Sequence, residues 1–436
     1  MKKVIFPLLI VTLAITLGFV YKKYDKQKNA IPQLKERAIS VSAGSEWLNT
    51  KKAIEGLLDK IRRNPSDIKA KSQLAMAYIQ ESRITGDHAY YDEASLKLIE
   101  EVLQKEPQNL DALNAKTTVL LSQHHFAEAL GEAKKITTLY PDVAFGYGLL
   151  CDAYVELGQY AEAVKAADKQ IGMRPDLRSY ARVSYLREIH GDYKGAKEAM
   201  TSAVKSGVAG MEQTEWCRVQ LGKLEEATGN LVEAEKQYQI ALATRPGYAY
   251  ALMGMGRLAC LNGRNREGVE YFEKAKQAIN DPAVYEELTE AYMLDNQRIR
   301  AEENAQSLVK ILGGAHDTLS NHTDLPQHGH YADKELAEAY LKINDLEHAL
   351  VHAHLELQRR PDNIDVNEVM AWVFYKNGEA TKALPHIEKA LHTGSQKASL
   401  LWKAGNIYAQ NNQEKKGNAL INKALKINKY LRAELL

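Results

Sequence analysis

Seven of the 13 histidines fall between His316 and His354. His348 and His352 are four apart, so on a helix both imidazoles share a face and could hold one divalent metal. His328 and His330 could complete such a shell from a loop. Carboxylates at a matching spacing are missing, and a polar loop followed by a solvated helix face explains the same residues, so no metal is assigned. Thiol chemistry is equally thin. Cys151, Cys217 and Cys260 are odd in number, far apart and in no CxxC pattern, which reads as buried structural thiols. The chain has no P-loop, no G-x-S-x-G elbow and no H-E-x-x-H. Gly254-Met255-Gly256 is a lone G-x-G inside a helical pattern. Glu286-Glu287 and Glu302-Glu303 are adjacent pairs that suit solvated helix faces, and Asn321-His322-Thr323 is a sequon with meaning only in a eukaryotic secretory setting. These residues predict no catalysis and no cofactor. The balance of 57 basic against 56 acidic residues argues against nucleic acid as a partner.

The strongest pattern belongs to the elements that would carry any site. Small residues recur at Ala94, Ala129, Ala163, Ala196, Ala234, Gly268, Ala301, Ala349, Ala383 and Gly417. A turn residue precedes nine of them by five positions: His124, Gly158, Gly191, Gly229, Gly263, Asn296, Asn344, Gly378 and Asn412. A second small column lies twelve residues upstream, from Thr117 through Cys151, Ser184, Gly222 and Gly256 to Gly405. Two interlocked small columns at a step near 34 residues predict stacked helical hairpins in one elongated array. Proline follows the small column by twelve residues at Pro65, Pro141, Pro175, Pro246 and Pro361, where it must end the second helix of a hairpin.

Boundaries follow from the same columns. Residues 1–21 combine Lys2 and Lys3 with an apolar run from Val4 to Val20, flanked by Lys22, Lys23, Lys26 and Lys28. This reads as an uncleaved signal anchor or transmembrane helix, with a cleaved signal peptide as the alternative. Residues 22–44 read as a polar linker and 45–65 as a lone capping helix. Residues 66–436 form the array. Extra residues are expected in the first hairpin's turn, Ile84 to Tyr91, and an insertion at about 313–330 breaks the period.

The columns resemble the tetratricopeptide repeat. Tyr78, Tyr154, Tyr292, Tyr340, Phe374 and Tyr408 occupy its aromatic slot, and one unit reads Tyr147, Leu150, Cys151, Tyr154, Gly158, Ala163 and Pro175. The likeness runs from Trp47 to Ile427. It departs from the pattern at Arg187 and Glu225, which replace the aromatic, and at Val208, Gly313 and Ser395, which replace the proline. The stretches Tyr180–Arg187 and Ala371–Gly378 are similar to a bacterial group of exported or membrane-anchored repeat proteins. The resemblance implies an all-α fold, an α-solenoid or right-handed superhelix of about ten hairpins behind the N-terminal transmembrane helix.

The resemblance also implies a concave wall built from the first helix of each hairpin. By its register Arg178, Tyr185, Trp216, Tyr250, Arg257, Glu368, Trp372, Tyr375 and Trp402 face this groove as partner-binding residues, with Trp372, Tyr375 and Trp402 as a C-terminal aromatic patch. The lysine and asparagine set that clamps a C-terminal carboxylate in some members is missing; the corresponding positions include Asn114, Thr118, Gly148 and Asp152. The expectation is a membrane-tethered scaffold for a protein or peptide partner, with the array on the periplasmic side of a bacterial inner membrane or secreted after signal cleavage. The alternative is an assembly factor of an envelope complex; a metal-dependent activity at the histidine-rich insertion ranks below both.

Overall fold

The computed structural model describes residues 31–38, 42, 45–313 and 330–431. Among these the regular structure is 21 α-helices, with no strand. Helix α1 (Ser45–Arg63) stands alone, followed by ten hairpins. The first five are α2 (Ile68–Thr85) with α3 (His88–Lys105), α4 (Leu110–Ser122) with α5 (Phe126–Leu139), α6 (Ala144–Glu156) with α7 (Tyr160–Met173), α8 (Leu177–Ile189) with α9 (Tyr193–Lys205), and α10 (Glu212–Ala227) with α11 (Leu231–Thr244). The next three are α12 (Ala249–Leu261) with α13 (Asn265–Ala278), α14 (Pro282–Leu294) with α15 (Arg298–Gly313), and α16 (Asp333–Lys342) with α17 (Leu346–Arg359). The last two are α18 (Ile364–Lys376) with α19 (Ala380–Ala390), and α20 (Ala398–Gln410) with α21 (Glu414–Ile427).

The residue columns explain this geometry. All nine turn residues, from His124 to Asn412, have positive φ, between 58° and 79°, as a tight reversal between antiparallel helices requires. The small columns meet inside each hairpin. Ala129, Ala163, Ala196, Ala234, Ala349 and Ala383 are fully buried, and Ser184 Oγ donates to the Ala196 carbonyl at 2.8 Å. A Cβ on Gly417 would sit 2.5 Å from the Gly405 carbonyl oxygen, so the last hairpin admits no larger residue there. The helices ending at Arg63, Leu139, Met173, Thr244 and Arg359 each stop two residues before a proline. The apolar core is correspondingly divided into clusters strung along the array.

Two local expectations change. The extra residues of the first hairpin are not in its turn, which is only Gly86 and Asp87; they lengthen both helices to 18 residues, against 13 and 14 in the second hairpin. Residues 31–38 of the expected linker are partly packed: Arg37 is buried, Ile31, Pro32 and Leu34 are half-buried, and the other four are exposed. Tyr78 Oη donates to the Pro32 carbonyl at 2.6 Å, and Arg37 donates to Glu81 at 2.8 and 2.5 Å with both side chains buried. The guanidinium lies 4.6 Å from the Trp47 ring, which closes the pair off from water. Most of the insertion, with His316, His322 and His328, lies outside the described residues. So does the apolar run of residues 1–21; among the described residues no helix is long and apolar enough to cross a membrane.

The array winds back on itself. The turn of each early hairpin touches the loop five hairpins further on. Asn280 N–H donates to the Thr85 carbonyl at 3.2 Å, and Tyr331 N–H to the Gln123 carbonyl at 3.1 Å. Ile364 N–H donates to Tyr160 Oη at 2.9 Å, and Arg360 Nη1 to Glu156 Oε2 at 2.5 Å. Gly191 lies against Gly394, and Asn428 Nδ2 reaches the Glu226 carbonyl at 3.5 Å. At the near end Arg245 pairs with Glu46. Contact partners are separated by about 200 residues (|i−j| from 199 to 208 among the side-chain contacts). The solenoid is therefore a superhelix of two stacked turns, joined along a continuous seam.

Candidate functional site

The first helices of the first five hairpins line a chamber on the concave wall. Neighbouring first helices are tied across that wall by paired charges about 30 residues apart. Arg182 donates from Nε and Nη2 to Asp152 at 2.8 and 2.6 Å. Arg257 bridges Glu226 at 3.0 Å and Glu287 at 2.9 Å, with a third bond to Tyr238 Oη at 3.2 Å. Tyr250 Oη donates to Asp281 at 2.8 Å. Lys397 and Lys403 both donate to the buried Glu368 at 2.9 Å. Burial alone would raise the Glu368 carboxyl, but the two ammonium groups hold it far below the usual carboxylate range.

The nine groove residues expected from the sequence fall into three groups. Arg178, Tyr185 and Trp216, from α8 and α10, line one cavity of about 580 Å³ together with Ile79, Arg83, Leu121, Phe145, Leu149, Asp152, Glu156 and Arg182. Tyr250 and Arg257 are locked into the charge ladder. Trp372, Tyr375 and Trp402 do converge: Trp372 stacks on Tyr375 at 4.7 Å and meets Trp402 edge-on at 5.9 Å. Trp372 is only 5% exposed, however, and belongs to the core beneath the last three hairpins, alongside Glu368. Tyr375 and Trp402 keep part of their surface.

Inside the cavity the groups differ in how far they are satisfied. Tyr185 is 39% exposed to the chamber. Burial and the charges of Asp365 and Glu156 push its phenol well above the ordinary value, so it stays a neutral donor. Burial raises the Glu156 carboxyl to about 7, against the pull of Arg360. Arg178 lies over the Phe145 ring at 5.1 Å and has no carboxylate partner among the described residues. Arg83 and Arg182 were not singled out from the sequence. The recurrent 30-residue spacing of Asp152 to Arg182 and Arg257 to Glu287 was the available signal, because it equals one hairpin less about one helical turn.

Among the described residues, the histidines and cysteines that suggested chemistry make packing and hydrogen-bond contacts. His348 and His352 both stack on Tyr340, at 4.8 and 5.5 Å, and turn Nδ1 to separate carboxylates, Asp345 at 2.8 Å and Asp333 at 2.6 Å. Among the described residues no group of three or more His, Cys, Asp or Glu could hold a metal ion. All three cysteines are buried, and burial lifts the Cys151 and Cys217 thiols to about 12.

The geometry defines an α-solenoid of helical hairpins with a walled inner face. Residues 219–282 match the tetratricopeptide repeat family model. No curated protein matches it. Among solved structures it is similar to the APC/C hetero-tetramer Cut9–Hcn1, at 14% identity and a TM-score of 0.47, over 88% of this chain. It spans 60% of that chain's length. A thermophilic repeat protein of Thermus thermophilus aligns at 22% identity and a TM-score of 0.37, over 42% of this chain and 98% of its own. PilW, a type IV pilus biogenesis factor, aligns at 12% identity and a TM-score of 0.39, over 46% and 91%.

Proposed function

We propose that this protein is a non-catalytic scaffold that captures a segment of a partner protein in the chamber of its first superhelical turn. The observation that carries this reading is the 580 Å³ cavity itself, which joins an apolar wall to Trp216, Tyr185 and a guanidinium without a counter-charge. Such a site combines large aromatic contact area with directional polar groups, as binding pockets do. Folded domains are too large for a chamber of this kind, so the captured element is an extended peptide. The partly exposed Tyr375 and Trp402 offer a second contact on the first helices of the last two hairpins.

Residues 1–21, with their apolar run between lysines, are proposed to anchor the scaffold in a bacterial inner membrane and to leave the repeats on the periplasmic side. Protease treatment of spheroplasts tests this: digestion of the repeats is expected, and their full protection contradicts it.

Photo-crosslinking in cells tests the capture site. A photoreactive residue at Tyr185 is expected to trap a partner segment, while one at Val232, 82% exposed on α11, is not. Crosslinks from Val232 alone would shift the reading to an outer-face assembly factor.

A further inference from the structure

We infer that the chamber selects an acidic peptide segment, one whose Asp or Glu side chain pairs with Arg178 while a neighbouring large apolar side chain fills the wall beside Trp216. The inference deepens the capture reading and rests on it. Its basis is the charge inventory of the cavity. Three guanidinium groups, Arg83, Arg178 and Arg182, line it with two carboxylates, Asp152 and Glu156. Asp152 is held by Arg182 at 2.6 Å, and Glu156 by Arg360 of the second turn at 2.5 Å. Arg83 lies 3.5 Å from Glu212, which also accepts from Tyr248 Oη at 3.1 Å. Asp176, the nearest carboxylate in sequence to Arg178, caps α8 and pairs with Arg174 at 3.0 Å.

Both carboxylates that line the cavity are thus engaged, and Arg178 is left over; Asp365 and Glu188, whose charges act on Tyr185, lie outside the lining. Its position on the Phe145 ring presents the planar group to the cavity. A guanidinium so held favours a carboxylate, which it can bind through two parallel hydrogen bonds. A basic segment would meet the uncompensated charge of Arg178, and a neutral one would desolvate Arg178 without replacing its water. The cavity volume lies within the range of about 300–1,000 Å³ typical of ligand pockets, enough for a few residues of extended chain.

Calorimetry on the full chain with three end-blocked hexapeptides tests this: Gly-Leu-X-X-Leu-Gly with X as Asp, Asn or Lys. The Asp peptide is expected to bind at least about tenfold more tightly than the Asn peptide, and the Lys peptide least. Arg178→Gln should erase the Asp advantage, whereas Arg174→Gln, outside the cavity, should keep it. Equal affinities unaffected by Arg178→Gln overturn the acidic preference and leave the capture reading standing. If Tyr185 still crosslinks a partner but none of the peptides binds, the acidic preference falls alone. Tighter, Arg178-dependent binding of a ten-nucleotide single strand would overturn it in favour of a nucleic acid.

Discussion

The turn glycines meet two requirements, and only one of them is local. Gly158 and Gly378 share the same left-handed backbone, with φ of 74° and 77°. Their surroundings differ. A Cβ on Gly158 would sit 2.3 Å from both the carbonyl carbon and oxygen of Asp362 in the next turn, while nothing lies within 4 Å of one on Gly378. Gly378→Ala should therefore cost only the left-handed strain, about 1–2 kcal/mol. Gly158→Ala should cost clearly more, because backbone must move as well. Urea unfolding of the two variants checks this, and equal losses would mean that the seam does not hold the turns together. The sequence reading found the left-handed positions because glycine and asparagine mark them. It missed the close approach, because the opposing residue lies about 200 positions away and leaves no local pattern.

Helices and hairpins were legible where chain periodicity and proline speak directly. The five prolines and the small columns mark the hairpin boundaries, but they do not tell a longer turn from longer helices in the first hairpin. Gly86 and Asp87 were enough to reverse the chain, and the surplus became helix. The groove register located Trp372 on a first helix but could not weigh its burial, which depends on the neighbouring α20. Trp372→Ala should cost about 3–5 kcal/mol as a core truncation. Loss of hydrogen-exchange protection in α18 to α21 checks it, and a cost below about 1 kcal/mol would return Trp372 to the binding surface. The second hairpin's turn also carries a pH response. His124 Nδ1 donates to the Tyr331 carbonyl at 2.8 Å, and its ring packs 4.3 Å from His330. Burial lowers its pKa, opposed by Glu335 and helped by Arg360. Burial, and then the charge of His124, lowers His330 to about 4. The unfolded imidazoles take up protons first as the pH falls below about 6.5, so their contribution to stability is present above that value and declines on acidification. The drop in Tm between pH 7.5 and 5.5 should be smaller in His124→Asn, which keeps a residue that tolerates the left-handed turn. An unchanged drop would contradict the assignment.

The whole molecule is governed by a small rotation per hairpin that no single repeat reveals. The resemblance implied a superhelix; contact between hairpin turns and the loops five hairpins further on stacks its two turns. The two-turn seam brings Arg360 of the second turn onto Glu156, one of the carboxylates that line the cavity with Arg178, Tyr185 and Trp216. Hydrogen exchange of the full chain tests it most directly. The N–H groups of Asn280, Tyr331 and Ile364 lie in inter-hairpin loops or at a helix start, where they have no helical acceptor, and they bond across the seam to Thr85, Gln123 and Tyr160. A closed coil predicts that these three amides are protected as a group. Exchange at the rate of free loop amides, with the helices still protected, would show an open solenoid and contradict the two-turn coil.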